Sequence, residues 1–147
     1  MSEGARISFS AADLGQLVIR LGIGGMFGLV HGWKKVTAGP ELWEKLGGAM
    51  GQLGIHFWPT FWGFLAMSAE FGGGLLFLLG VFFRPACAML AFVMVMATMT
   101  LLHGSGGLQG ASHPIMAGAA ILGMLLMGPG KISLKQAVPM LRTRWYG

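Results

Sequence analysis

Four long apolar runs constrain this chain more than any other feature. They cover about residues 14–33, 61–80, 86–103 and 113–127. A helix rises about 1.5 Å per residue, so roughly 20 apolar residues cross the ~30 Å of bilayer hydrocarbon. The fourth run is short, so its ends must extend or its neighbours must cover it. Only 10% of the 147 residues are charged and 54% are hydrophobic, whereas soluble domains run near a quarter charged. Too little polar material exists to coat a water-soluble surface. The runs are too long and too uniformly apolar for the alternating strands of a membrane barrel. The expected fold is all-α: one polytopic membrane domain, a bundle of four transmembrane helices.

Glycine falls inside the spans. Gly24, Gly28 and Gly32 make two consecutive Gly-x-x-x-Gly steps, a smooth strip along the first helix. Gly63, Ala66, Gly73 and Gly74 suggest a similar strip along the second. Such strips let helices approach closely, where van der Waals contact replaces the hydrophobic drive that lipid cancels. Packing alone accounts for them.

Charge placement sets the expected topology. The net charge is +5, but the basic residues sit at the ends of apolar runs, which is not the footprint of a nucleic-acid binder. Arg6, Arg84, Lys131, Lys135, Arg142 and Arg144 share one side; Lys34, Lys35 and Lys45 share the other, near Glu41 and Glu44. The excess of basic residues places both termini in the cytoplasm of a cell with this protein in its inner membrane. Trp33, Trp43, Trp58 and Trp62 would then form an outer aromatic belt. The N-terminus lacks a short apolar region with a small-residue cleavage site and reads as retained. In the long first outer loop, Pro40 and Glu41 suit a first helical turn. Trp43, Leu46, Met50 and Leu53 recur at helical spacing, predicting a short amphipathic interfacial helix.

Two ionisable residues fall within spans. Glu70 is near the middle of the second run, and Arg20 lies roughly 10 Å into the first. Buried charges in lipid turn inward and find partners, so an Arg20–Glu70 pair is expected. Arg20, Gly24, Phe27 and His31 share a face of the first helix, and Met89, Phe92, Met96, Met99 and His103 form a stripe on the third. An outward-facing pocket lined by His31, Lys34 or Lys35, and His103, with Glu70 deeper, would suit an anionic or quinone-like headgroup. Histidines near helix ends also sit simply at the water interface. Met99 and His103 could offer soft ligands to copper, but methionine is the usual filler of glycine-rich packing, and no metal site is assigned. Cys87 stands alone, which excludes a thiol pair. No nucleotide, zinc-hydrolase, serine-hydrolase or haem-attachment motif occurs, and no cofactor is evident beyond a possible quinone.

The motifs resemble one family. The stretch R-L-G-I-G-G-M-F-G-L-V-H-G-W-K-K (Arg20 to Lys35) is similar to the first-helix signature of DoxX-type proteins. The run E-F-G-G-G-L-L-F-L-L-G-V-F-F-R-P-A (Glu70 to Ala86) resembles their second helix and basic turn, and G-P-G-K-I-S-L (Gly128 to Leu134) their closing motif. One departure is Lys135, where the family often has aspartate. The resemblance implies a four-helix membrane bundle tied to oxidoreductase systems such as thiosulfate:quinone oxidation or sulfur and oxidative-stress complexes. It carries over Arg20, Lys34, Glu70 and Arg84. Three functions are weighed: a redox-linked membrane subunit that binds quinone or another small hydrophobic molecule, a non-catalytic assembly subunit, and a small transporter. A membrane-protein partner or a homo-oligomer is expected. The expected orientation has a direct test: alkaline phosphatase should be active when fused in the 34–60 loop and inactive when fused at the C-terminus.

Overall fold

The structure, a computed structural model, describes residues 8–137; Arg6, Arg142 and Arg144 lie outside them. Among the described residues every regular element is helical. Helix α1 spans Ala11–Ala38, α2 Pro40–Gly47, α3 Pro59–Leu79, α4 Phe83–His103, α5 Gly107–Met127 and α6 Leu134–Ala137. The four helices α1, α3, α4 and α5 are long and apolar enough to cross a membrane. Their outward faces stay apolar, with Val18 67% and Leu126 82% exposed. Only lipid covers such faces without cost. The chain is an all-α, multi-pass membrane protein.

Each spanning helix starts before its apolar stretch. The short fourth run is the clearest case, because α5 starts at Gly107 and carries Pro114 inside it, forgoing one helical hydrogen bond. Helix α1 starts in a capping box. The Asp13 N–H donates to Ser10 Oγ (3.2 Å), and the Ser10 N–H donates to Asp13 Oδ2 (2.9 Å). The same carboxylate accepts the Lys131 N–H (3.0 Å), and the Gln16 amide reaches the Met127 carbonyl (3.4 Å). The start of α1 is thus tied to the end of α5, and both ends of the described chain meet at one end of the bundle.

Helices α1 and α3 pack closely, running antiparallel. A Cβ added to Gly24 would sit 2.8 Å from Leu78 Cα, one at Gly28 3.1 Å from the Leu75 backbone nitrogen, and one at Gly32 2.5 Å from Phe71 Cα. The distances at Gly24 and Gly32 are too short for any real side chain, and at Gly28 the neighbour would have to give by a few tenths of an ångström. Residues 20–24 and 26–32 of α1 adopt wider, i→i+5 turns. In a regular helix of 3.6 residues per turn, a four-residue strip winds around the axis. The wider turns offset that drift and keep the glycines in line against α3.

The small residues of α3 serve three neighbours, not one strip. Gly74 faces Gly28 of α1, a Cβ added at Gly73 would lie 3.5 Å from Leu90 Cγ of α4, and Gly63 abuts the Trp43 carbonyl of α2. Across that last contact Gly47 abuts the Pro59 carbonyl, so α2 lies pressed along the first turns of α3. Helix α2 begins with Pro40 after Gly39, whose φ is +77°, and its amphipathic pattern continues through a tight turn over Gly48–Leu53. The core fills between α3, α4 and α5 with Phe77, Phe83, Leu90, Ile121 and Met124, all fully buried. Phe77 stacks on Phe83 at 4.9 Å.

These contacts separate two kinds of glycine. Gly32→Ala should cost about 1–3 kcal/mol by forcing α1 off α3. Gly25→Ala has nothing within 4 Å and should be neutral or stabilising by up to ~1 kcal/mol. Thermal unfolding of the two variants in detergent reads the difference.

Candidate functional site

The expected Arg20–Glu70 pair does not form, and the antiparallel register explains why. Gly24 lies level with Leu78, Gly28 with Leu75 and Gly32 with Phe71. Extending that ladder sets Arg20 beyond the end of α3, whereas Lys35 comes level with Ser68, about half a turn past Glu70. Helical side chains lean toward their own N-terminus. In an antiparallel pair, Lys35 and Glu70 therefore lean toward each other. They form an ion pair, with Glu70 3% exposed. Glu70 lies eleven residues into α3, roughly 17 Å along it, near the middle of that span. The Trp43 indole N–H of α2 donates to the Lys35 carbonyl (2.8 Å), and its ring packs edge-on against Phe64 at 5.4 Å.

Arg20 has a different task. Its guanidinium is 2% exposed and donates to four backbone carbonyls. Nε reaches Phe77 (3.1 Å) and Nη2 reaches Leu78 (2.6 Å), both in the last turn of α3. Nη1 reaches Pro129 (3.0 Å) and Ile132 (2.6 Å) in the loop after α5. A helix ends with carbonyls that lack partners and carry partial negative charge. Arg20 satisfies both needs and clasps α1, α3 and the closing loop together. Gly80 makes room for it: its φ is +69°, and a Cβ there would meet Arg20 Cζ at 2.8 Å.

The four residues expected to line one ligand pocket do not converge on either cavity. Of the four, His31 lines one of two cavities among the described residues, and the other three line neither. His31 faces His113 of α5, with ring centroids 6.0 Å apart, in a groove of about 370 Å³ between α1 and α5. The rest of that groove is apolar, formed by Ile19, Gly22, Ile23, Met26, Phe27, Ala117 and Ala120. Lys34 is exposed, and Glu70 is closed off by Lys35. His103 is exposed at the end of α4, its Nδ1 bonded to the Met99 carbonyl of its own helix (2.8 Å). A second cavity, about 290 Å³, lies between α2, α3 and α4. Among the described residues, no group of three or more His, Cys, Asp or Glu is placed to hold a metal ion.

Lys35 was legible in one respect. It continues the strip Gly24, Gly28, Gly32 that marks the α3 face, whereas Lys34 points away from it. His113 carries no comparable signal, because nothing in the pattern says which helix faces His31. The expected belt also divides: Trp58 is 72% exposed, while Trp43 is spent on α2 packing.

The DoxX family model matches residues 15–104. The chain belongs to the DoxX family. No curated protein and no solved structure gives a significant match. The matched region holds the Arg20 strip, the Lys35–Glu70 pair and His31, and it ends before α5 supplies His113 and the closing loop. In this DoxX chain, then, the ion pair lies wholly within the family match, while the groove and the Arg20 clasp reach beyond it.

Removing one member of a buried pair strands the other charge, which costs about 3–5 kcal/mol. Glu70→Ala should therefore lower the thermal midpoint in detergent markedly. The double variant Glu70→Met with Lys35→Met, which removes both charges at similar volume, should recover most of the loss.

Proposed function

We propose that the protein is the membrane-embedded binding subunit of a redox-linked system in a bacterial-type inner membrane, with both termini cytoplasmic. It holds a quinone-type molecule in the groove between α1 and α5. One observation carries this reading: two imidazoles face each other at 6.0 Å in an otherwise apolar groove. A neutral imidazole has one N–H donor and one acceptor. The pair can therefore donate to a quinone carbonyl and accept from a hydroquinone hydroxyl, recognising either oxidation state. The apolar walls at Ile19, Ile23 and Ala117 would take the isoprenoid tail, and the bilayer gives the ligand its route in. Binding sites of this kind are mostly apolar with a few placed polar groups. Cys87 is the one cysteine, so the electrons are assigned to a partner protein.

A second reading, an assembly subunit, is favoured by Gly15, Gly25 and Gly123, which have nothing within 4 Å and leave smooth faces for partner helices. The two readings separate experimentally. Short-tailed ubiquinone and menaquinone analogues should each be titrated into purified protein. A ligand at 100 times its Kd adds about 2.7 kcal/mol of stability, a rise of several degrees in midpoint. His31→Ala and His113→Ala should each weaken that binding about 5-fold, the worth of roughly one hydrogen bond. Absence of a shift with every quinone would leave the assembly role standing alone.

A further inference from the structure

We propose that the chamber between α2, α3 and α4 holds one acyl chain of a bilayer phospholipid, with residues 40–53 as its door. The site shares no lining residue with the histidine groove and stands independently of the quinone reading.

The chamber's chemistry selects the occupant. Its volume is about 290 Å³, and no charged side chain lines it. Trp62, Ala66 and Ala69 form the α3 wall, Val93 and Met96 the α4 wall, and Met50 closes it from the door. A void this size forfeits dispersion contacts all round its lining. Water does not fill it stably, because a buried water needs two to four polar partners. Around a membrane helix the abundant apolar filler is the acyl chain. Thioether side chains adapt to such a flexible, irregular guest. Phospholipid is the abundant carrier of such chains in a bilayer, and a free fatty acid is the occupant that the lipid identification below would reveal instead.

The door keeps its glycine-packed edge on α3 and swings at its free edge toward α4. Gly39 and Gly54, both at φ +77°, bracket the segment. Positive φ costs glycine little, so both ends can rotate without breaking a helix. Toward α4 the door is latched by Gln52 Nε2 donating to Thr100 Oγ1 (2.9 Å). The Thr100 hydroxyl in turn donates to the Met96 carbonyl (2.8 Å), which fixes the latch to the chamber wall.

The test is native mass spectrometry of protein washed in mild detergent, with extracted lipids identified. One phospholipid per chain should survive the wash. Two fillers from opposite walls, Ala66→Phe and Met50→Trp, should each retain none, so that misfolding of one variant leaves the other to decide. Gln52→Ala should still hold one lipid but exchange it several-fold faster for phosphatidylethanolamine with deuterated chains. The proposal fails if wild type retains no lipid, if it retains free fatty acid instead, or if folded fillers hold as much as wild type. Equal exchange in Gln52→Ala and wild type would overturn the door.

Discussion

Close contact between α1 and α3 organises the rest of the molecule. In lipid, burying an apolar face against another helix gains little, because acyl chains are as apolar as leucine. What remains is dispersion at short range, and that grows only if backbones approach. Gly24, Gly28 and Gly32 allow it against Leu78, Leu75 and Phe71, and the wide turns of α1 keep all three on one line. A contact this close also has a single workable register. Sliding by one residue would drive a Cβ into the opposing backbone.

That register distributes the buried charges. Arg20 and Lys35 lie on the same strip, one at each end, and Glu70 can meet only one of them. Lys35 reaches it in mid-span, where an unpaired carboxylate would be costly. Arg20 lands where α3 ends and carbonyls run out of donors, so its charge is answered by backbone dipoles from α3 and the closing loop. Two cations of similar depth in the sequence thus do different work: one neutralises an acid and the other caps a helix and ties down a loop. Neither remains free to hold a ligand. Among the described residues His31 and His113 face the groove between α1 and α5, which is why the proposed headgroup site lies there.

Helix α2 adds a second layer to this plan. Gly47 and Gly63 let it lie against the first turns of α3 as tightly as α1 lies against the last ones. Its Trp43 then bonds to the Lys35 carbonyl, next to the ion pair in the chain. On its other flank α2 stands off from α4 and leaves the chamber. Helix α2 is therefore fixed along one edge by glycine packing, while the turn that follows it reaches α4 and bonds there through Gln52 to Thr100.

Much of the architecture could be read from residues alone. Apolar length and low charge dictate four spans, because lipid leaves the backbone no partner but itself. The glycine spacing marks the face of α1 that seeks a close neighbour, and Pro40 with the Trp43–Leu46–Met50 pattern marks α2. The pairing of charges and the pairing of histidines were not readable in this way. Helical periodicity tells which residues share a face, but it says nothing of which helix that face meets or at what height. Those were decided by the α1–α3 register and by the placement of α5 against α1, both products of steric fit between distant segments. Tertiary packing therefore gave Glu70 to Lys35, Arg20 to the carbonyls, and His31 to His113.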